Sequence, residues 1–291
     1  KLHEVTEVAD RVTVLRKGIA TAEGVNSAGL TRRDLAELMV GRSVVFQVEK
    51  KPREPGPVVL EVHRVSAENN KGIQALKKIY LEVRSGEILG IAGVAGNGQS
   101  ELAEVITGLR PCQGRIRVNH EDVANQPPIK AIRSGVAHVP EDRQRDGLVL
   151  NYPITSNMVL STYYQPPFAK GVMLQDAEIN AAAAERVNLF DVRTPGIATK
   201  AGSLSGGNQQ KVIVAREFSR AIKLLVASQP TRGLDVGSIE YIHGRIMEKR
   251  DAGTAVVLVS PELDEVLALS DRIAVMYRGK LVAIVDAEVA T

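Results

Sequence analysis

The chain is poor in the features that mark whole classes of protein. It has one cysteine, Cys112, in 291 residues. That excludes an internal disulfide and any cysteine-based metal site, and it fits a reducing compartment. It lacks an apolar run of about 18 residues, the length a membrane-spanning helix needs, and no signal peptide opens it. It also lacks an excess of charge of either sign. Thirty-seven basic and 34 acidic residues leave a net charge of +3, spread along the sequence. Nothing in that balance demands nucleic acid or an acidic lipid surface. What is present is ordinary globular material, 44% apolar and 24% charged, enough for one large α/β domain or one domain plus part of another.

The first residues already lie inside an amphipathic pattern, and that pattern returns near the other end. Leu2-His3-Glu4-Val5, then Ala9-Asp10-Arg11-Val12-Thr13-Val14, is echoed by Leu263-Asp264-Glu265-Val266, then Ser270-Asp271-Arg272-Ile273-Ala274-Val275. The offset is 261 residues throughout, and Arg16-Lys17-Gly18 matches Tyr277-Arg278-Gly279 in the same register. A repeat at that spacing signals tandem homologous domains. Residues 1–49 therefore read as the tail of a preceding domain, with a helix ending near Ala9, a strand over 12–15 and a short helix over 32–40. The charged, proline-rich stretch 50–57 breaks every periodic pattern and reads as a linker. A second domain is expected over 58–291.

Within it, strand and helix signals alternate, which favours a parallel sheet. Strands are expected at 58–65, 76–83 and 87–91, with an amphipathic helix over 101–109. Between them lies Gly93-Val94-Ala95-Gly96-Asn97-Gly98-Gln99-Ser100. Strand, glycine loop and helix in that order suit a phosphate-binding P-loop. Its glycines free backbone N–H groups for phosphate oxygens, and the Ser100 hydroxyl can ligate Mg²⁺. The pattern wants lysine where Gln99 stands. An ammonium about 4 Å from a phosphate charge is worth up to ~4 kcal/mol at an effective dielectric near 20. That corresponds to roughly a thousandfold in rate.

A second glycine turn, Leu204-Ser205-Gly206-Gly207-Asn208-Gln209-Gln210-Lys211, opens into a helix whose Val214, Phe218 and Ile222 recur at helical spacing. Converging N–H groups and a serine hydroxyl at a helix N-terminus make an anion site. The octet resembles the signature motif of ATP-binding cassette (ABC) ATPases. Pro140-Glu141-Asp142-Arg143 and Gln229-Pro230-Thr231-Arg232-Gly233-Leu234-Asp235-Val236-Gly237 resemble the branch that serves bacterial simple-sugar and nucleoside importers. Ile239-Glu240-Tyr241-Ile242-His243 and Tyr163-Tyr164-Gln165-Pro166-Pro167-Phe168 are most similar to its nucleoside-type members.

The resemblance implies an α/β P-loop NTPase core with a parallel sheet, an antiparallel β subdomain and a helical subdomain over about 153–220. It implies ATP and Mg²⁺ as cofactors, with nucleotide held by Gly93, Gly96, Asn97, Gly98, Gln99, Ser100 and Glu101, and Ser100 on the metal. Glu141 takes the place of the family's Mg²⁺-contacting glutamine, and Gly233, Leu234 and Asp235 match the D-loop. Leu204, Ser205, Gly206, Gly207, Asn208 and Gln209 would act in trans, closing on nucleotide held by a companion ABC ATPase domain. The catalytic positions are degenerate. Ser228 and Gln229 replace the two carboxylates after strand 224–227, and Pro261 replaces the switch histidine after strand 255–259. His3 and His138 lie elsewhere in the motif order. Residues 66–74 offer no aromatic to stack on adenine.

By this resemblance the chain is part of an importer ATPase at the cytoplasmic face of a bacterial membrane. Its partners would be transmembrane permease subunits and, indirectly, a solute-binding protein, with no nucleic acid. Residues 141–147 and 153–193 are the expected permease-facing region. Two other readings stay open, a cytoplasmic ABC ATPase without a permease and a non-catalytic nucleotide-binding module. A kinase or GTPase would share the P-loop but not the octet.

Overall fold

The computed structural model describes residues 2–16, 18–42 and 50–290, leaving out the side chains of Leu2, His3 and Arg32. The expectations placed on 43–49 and on the His3 side chain fall outside these residues.

The first stretch forms helix α1 (Leu2–Val8), an antiparallel hairpin of β1 (Arg11–Arg16) and β2 (Ile19–Asn26), and helix α2 (Arg32–Val40). Thr31 and Asp34 start α2 with a reciprocal capping box, and Gly41 stops it at φ 79°. The sequence suggested one strand here. The second, Ile-Ala-Thr-Ala-Glu-Gly-Val-Asn, is mostly exposed and does not alternate, so it carries no strand period to find.

Two sheets follow. β3 (Val58–Glu68), β4 (Gln74–Arg84), β6 (Gln113–Val118) and β7 (Glu121–Asp122) form an antiparallel sheet in the order β4-β3-β6-β7. The larger sheet is built on β5 (Ile88–Ala92), which runs into helix α3 (Gln99–Ile106). Its other strands are β8 (Val136–Val139), after helix α4 (Pro128–Arg133), then β11 (Leu224–Ser228), β12 (Ala255–Val259), β13 (Arg272–Tyr277) and β14 (Lys280–Asp286). The order is β14-β13-β5-β12-β11-β8, parallel except for β14. Every residue of β5, β11 and β12 is buried, as continuous apolar runs in a parallel sheet require. Alternation divides their side chains between two cores. Leu89, Ile91, Val226 and Val257 pack with Leu102 and Ile106 of α3, whereas Ile88, Leu225, Val256 and Leu258 pack on the opposite side.

That second core is roofed by α7 (Gly206–Phe218) and α8 (Val236–Asp251). It continues into the helical segment of α5 (Ile154–Val159) and α6 (Asp176–Leu189), between which the two-residue strands β9 (Ala169–Lys170) and β10 (Met173–Leu174) pair. Helix α9 (Leu263–Leu269) lies between β12 and β13 in sequence. The mixed α/β architecture, with parallel sheet, antiparallel sheet and helical segment, is the expected one. Among the described residues no helix is long and apolar enough to cross a membrane.

The internal repeat survives in structure. Displaced by 261 residues, α1 falls on α9 and β1 on β13, end to end. The stretch 50–57 is irregular but not loose. Lys50 Nζ donates to Ser270 O at 2.6 Å, Arg53 reaches the backbone carbonyls of Arg250 and Asp251, and Gly56 N donates to Ser85 O at 2.9 Å.

Candidate functional site

In a parallel sheet the loops after the strands emerge on one edge, and ligands sit at the carboxyl ends. Here the loops after β5, β8, β11 and β12 share that edge. They bring Gly93, Ala95, Gly96, Gln99, Ser100, Glu141, Gln229, Ser260 and Pro261 around one cleft of about 130 Å³. Four stretches up to 168 residues apart thus meet as expected.

The glycine loop turns because its glycines take conformations closed to other residues. Gly93 (φ 154°) passes so close to Met276 that an added Cβ would sit 2.5 Å from its carbonyl oxygen. Gly98 (φ 111°) precedes α3, where a Cβ would meet Ala75 O at 2.6 Å. Asn97 has structural partners of its own. Its side-chain oxygen accepts from Arg278 N at 2.6 Å, and its carbonyl accepts from Gly279 N at 2.9 Å, fastening the loop to the β13–β14 turn. Asn97, Gly98 and Glu101 are not among the residues that line this cleft.

Gln99 is buried and folded back on its own loop. Its Oε1 accepts from Asn97 N at 3.1 Å, and its Nε2 donates to Val94 O at 3.0 Å. The glutamine thus occupies an N–H of the phosphate cradle instead of projecting a charge into it.

Ser100 Oγ donates to Glu141 Oε2 at 3.0 Å, and Glu141 Oε1 pairs with Arg232 Nη1 at 2.8 Å. A hydroxyl and a carboxylate side by side are hard oxygen donors of the kind Mg²⁺ takes. They are the only such pair in the cleft wall, and no cluster of three metal-ligating side chains exists among the described residues. Ser228 is buried with its Oγ unpartnered and does not reach the cleft wall. Gln229 does reach it, with φ 46° and its N–H donated to Val259 O at 2.7 Å. The donor set fits a metal at Ser100 and Glu141, and the carboxylate it offers is already paired with Arg232.

Behind the switch position Glu265 is buried. It accepts from Thr231 Oγ1 at 2.6 Å and His243 Nε2 at 2.8 Å, tying the D-loop to α8 and α9. Burial pushes this carboxyl up, but the hydrogen bonds it accepts outweigh that and hold it below the ordinary range. His138 lies on β8, away from the cleft. Loss of hydration, with the charge of Arg216 adding, holds its pKa down to about 4, against the opposing pull of Glu217 and Asp146.

The octet divides into an outward and an inward half. Ser205 is exposed and starts α7 without capping it, because its Oγ accepts from Asn208 Nδ2 at 3.0 Å. The side chains of Leu204 and Gln209 are buried. Gln209 accepts from Gln144 Nε2 at 3.1 Å and donates to Ala201 O at 3.3 Å. Gln210 Nε2 donates to Pro230 O at 2.8 Å, and Lys211 Nζ pairs with Asp191 at 2.6 Å while lying 4.6 Å from the Tyr241 ring centre. The run Gln-Gln-Lys is the internal scaffold on which the outward turn is mounted. In the D-loop, Asp235 caps α8 through Ser238 N at 3.0 Å, and Leu234 packs on the core beneath α8.

Sequence reasoning overlooked two arginines as site residues. Arg232 guards Glu141, and Arg143 donates from Nη1 to Arg232 O at 2.7 Å. With Asp142, Gln144 and Gly233 they border a second cleft of about 290 Å³ beside the first. The basic run at Arg143 and Arg145 was the available signal.

The ABC transporter family model matches residues 76–232. The chain is 50% identical over its whole length to a nucleoside import ATP-binding protein of Lactococcus lactis, covering 58% of that protein. It is 46% identical over 98% of its length to a guanosine import ATP-binding protein of Bacillus subtilis, covering 56% of it. A glucose import ATP-binding protein of Haloferax volcanii is 49% identical over 97% of the chain and is covered over 52% of its length. The chain therefore spans little more than half the length of these curated relatives. Among solved structures, a dimeric ATP-binding cassette in a post-hydrolysis state with ADP and phosphate aligns at TM-score 0.67 and 21% identity, over 78% of this chain and 98% of that one. Fold, converging motifs and relatives agree, and the chain belongs to the ABC transporter family of ATP-binding proteins.

Proposed function

We propose that this chain is the second of two tandem ATPase domains in an importer for nucleosides or simple sugars, preceded by the tail of the first. The two domains bind ATP between them, each site formed by one domain's P-loop and the other's signature turn. This chain's own P-loop site is the weak one. Its wall offers Gln99 for lysine, Gln229 for a carboxylate and Pro261 for a histidine. Its signature turn is complete, and that contrast is the observation that carries the reading. Mg²⁺, when bound, polarises phosphoryl oxygens, and Ser100 and Glu141 are the residues that would hold it. The chain's principal contribution is to lend Ser205–Gly207 to the companion domain's ATP, so that closure of the pair drives permease subunits at the cytoplasmic face of the membrane. The names of the relatives support nucleosides or sugars as the solute class.

The test is steady-state phosphate release with Mg²⁺ and ATP, from this chain alone and from the tandem protein. The chain alone is expected to match its Ser100→Ala control. In the tandem protein, Ser205→Ala is expected to abolish most turnover. Robust hydrolysis by the isolated chain, lost on Ser100→Ala, would overturn the asymmetric reading.

A further inference from the structure

The outward half of the octet carries more positive potential than its own motif supplies. The N–H groups of Gly206, Gly207 and Asn208 have no acceptor among the described residues, and Ser205 does not cap them. Beside the turn lies the guanidinium of Arg143, whose Nη2 is 2.7 Å from where a Cβ on Gly206 would sit. A cation beside the positive end of a helix is electrostatically unfavourable unless an anion joins them.

Asp235 Oδ2 comes close to the turn, 3.4 Å from where a Cβ on Gly207 would sit, but it accepts from Ser238 Oγ, and among the described residues no carboxylate pairs with Arg143. Each carboxylate of the neighbourhood is committed elsewhere. Glu141 holds Arg232 and Ser100, Asp142 caps Gln144 and Arg145, Asp146 pairs with Arg145, and Asp235 caps α8 through Ser238. Arg143 itself is only partly exposed, and its one protein partner among the described residues is the neutral carbonyl of Arg232. Its Nε is buried with no partner among the described residues. The arginine is thus anchored through one nitrogen, has no ion-pair partner among the described residues, and lines the second cleft beside the glycine turn.

We propose that Arg143 is a ligand-contacting residue of the signature half-site. Its guanidinium, together with the N–H groups of Gly206 and Gly207 and the Ser205 hydroxyl, binds the terminal phosphates of a nucleoside triphosphate presented by the companion domain. Because Nη1 holds the D-loop carbonyl of Arg232, the same side chain sets the distance between D-loop and signature turn. The assignment rests on the trans reading proposed above, and its test separates the two.

The first arm titrates inorganic tripolyphosphate into the 291-residue chain and follows the backbone amide resonances of Gly206 and Gly207. They are expected to shift in a saturable way. Arg143→Gln keeps a donor for the Arg232 carbonyl but removes the charge. It is expected to raise the midpoint at these two resonances by about tenfold, the scale of a charge-assisted phosphate contact. The midpoint at Gly93 and Gly96 should hold, and Arg143→Lys should fall between. No shift at Gly206 and Gly207, or an unchanged midpoint in Arg143→Gln, overturns the assignment.

The second arm measures ATP turnover by the tandem protein. If Ser205→Ala leaves it intact, the trans reading fails. If Ser205→Ala abolishes it while Arg143→Gln keeps KM and kcat, only the role of Arg143 fails. A fall of about tenfold or more in kcat/KM for Arg143→Gln, at unchanged melting temperature and with partial recovery in Arg143→Lys, supports both.

Discussion

Ser100 and Glu141 lie 41 residues apart in sequence, yet the serine hydroxyl donates to the glutamate carboxylate at 3.0 Å. The bond joins the first residues of α3 to the loop after β8. It places the one carboxylate of the cleft wall against the hydroxyl best positioned to hold a cation. Arg232 competes for the same carboxylate from the D-loop side. A metal entering the cleft therefore meets a donor already half neutralised.

Replacing Glu141 by glutamine separates metal binding from stability. The Glu141–Arg232 pair is too solvent-exposed, at 34% and 59%, for its loss to cost more than about 1 kcal/mol after screening. The melting temperature should move by no more than about 4 °C. Binding of a fluorescent ATP analogue, measured with and without Mg²⁺, should show a severalfold smaller enhancement by the metal in the variant. Equal enhancement in both proteins would remove Glu141 from the list of metal donors.

His138 gives a pH dependence with a definite sign. Its folded pKa, about 4, lies below the unfolded value near 6.5. Below pH 6.5 the unfolded chain therefore takes up a proton that the folded chain refuses. Stability is full above pH 6.5, falls as pH drops toward 4, and levels off there, by about 1.4 kcal/mol per pH unit at most. Carboxylates titrate in the same region, so the comparison is with His138→Gln. Urea midpoints from pH 7.5 to 4.5 should fall more steeply in the parent, and parallel curves would show that the imidazole stays hydrated.

The convergence of motifs was legible because each announces itself locally: glycines before a helix, a proline-acid turn after β8, and short apolar runs ahead of Ser228-Gln229 and Ser260. Parallel strands put such loops on one edge whatever their spacing. The polar interior was not legible. Gln209, Gln210 and Lys211 look like an exposed helical turn until Ala201, Pro230 and Asp191 arrive from distant segments to satisfy them. The direction of Gln99 was hidden for the same reason, since an amide can reach outward to a phosphate or inward to Val94. Helix α7 ends at Phe218, so Ile222, in phase with the stripe, packs from a loop instead.

Arg250 is where the fold should be most sensitive to loss of a charge. Its side chain is 3% exposed and holds Asp271 at 2.7 Å, Asp251 at 2.9 Å and the carbonyl of Lys51 at 2.9 Å. Asp271 in turn accepts from Ile88 N at the start of β5. Arg250→Ala leaves that carboxylate uncompensated and should cost about 3–5 kcal/mol. Denaturant unfolding would measure it. A loss near that of an exposed pair would mean that water replaces the guanidinium.

Gln99→Lys isolates the remaining question, whether the P-loop is disabled by what it lacks or by what it holds. In the present loop the glutamine amide accepts from Asn97 N and donates to Val94 O, filling a cradle that a phosphate would otherwise engage. A lysine cannot accept from Asn97, so it frees that N–H. It also adds an ammonium that can extend toward the β- and γ-phosphates. Both changes favour nucleotide. About a third of the ~4 kcal/mol attraction at an effective dielectric near 20 is a gain of about 1.4 kcal/mol, which corresponds to tenfold tighter ATP binding. Turnover should not follow, because Ser228 and Gln229 still provide no carboxylate and Pro261 no imidazole. Calorimetric titration of ATP into the Gln99→Lys chain, beside phosphate release from the same sample, tests both halves. Tighter binding with no turnover is the expected pair. Unchanged binding would show that the Gln99 fold-back does not limit nucleotide entry, and restored turnover would show that hydrolysis here needs only the P-loop cation.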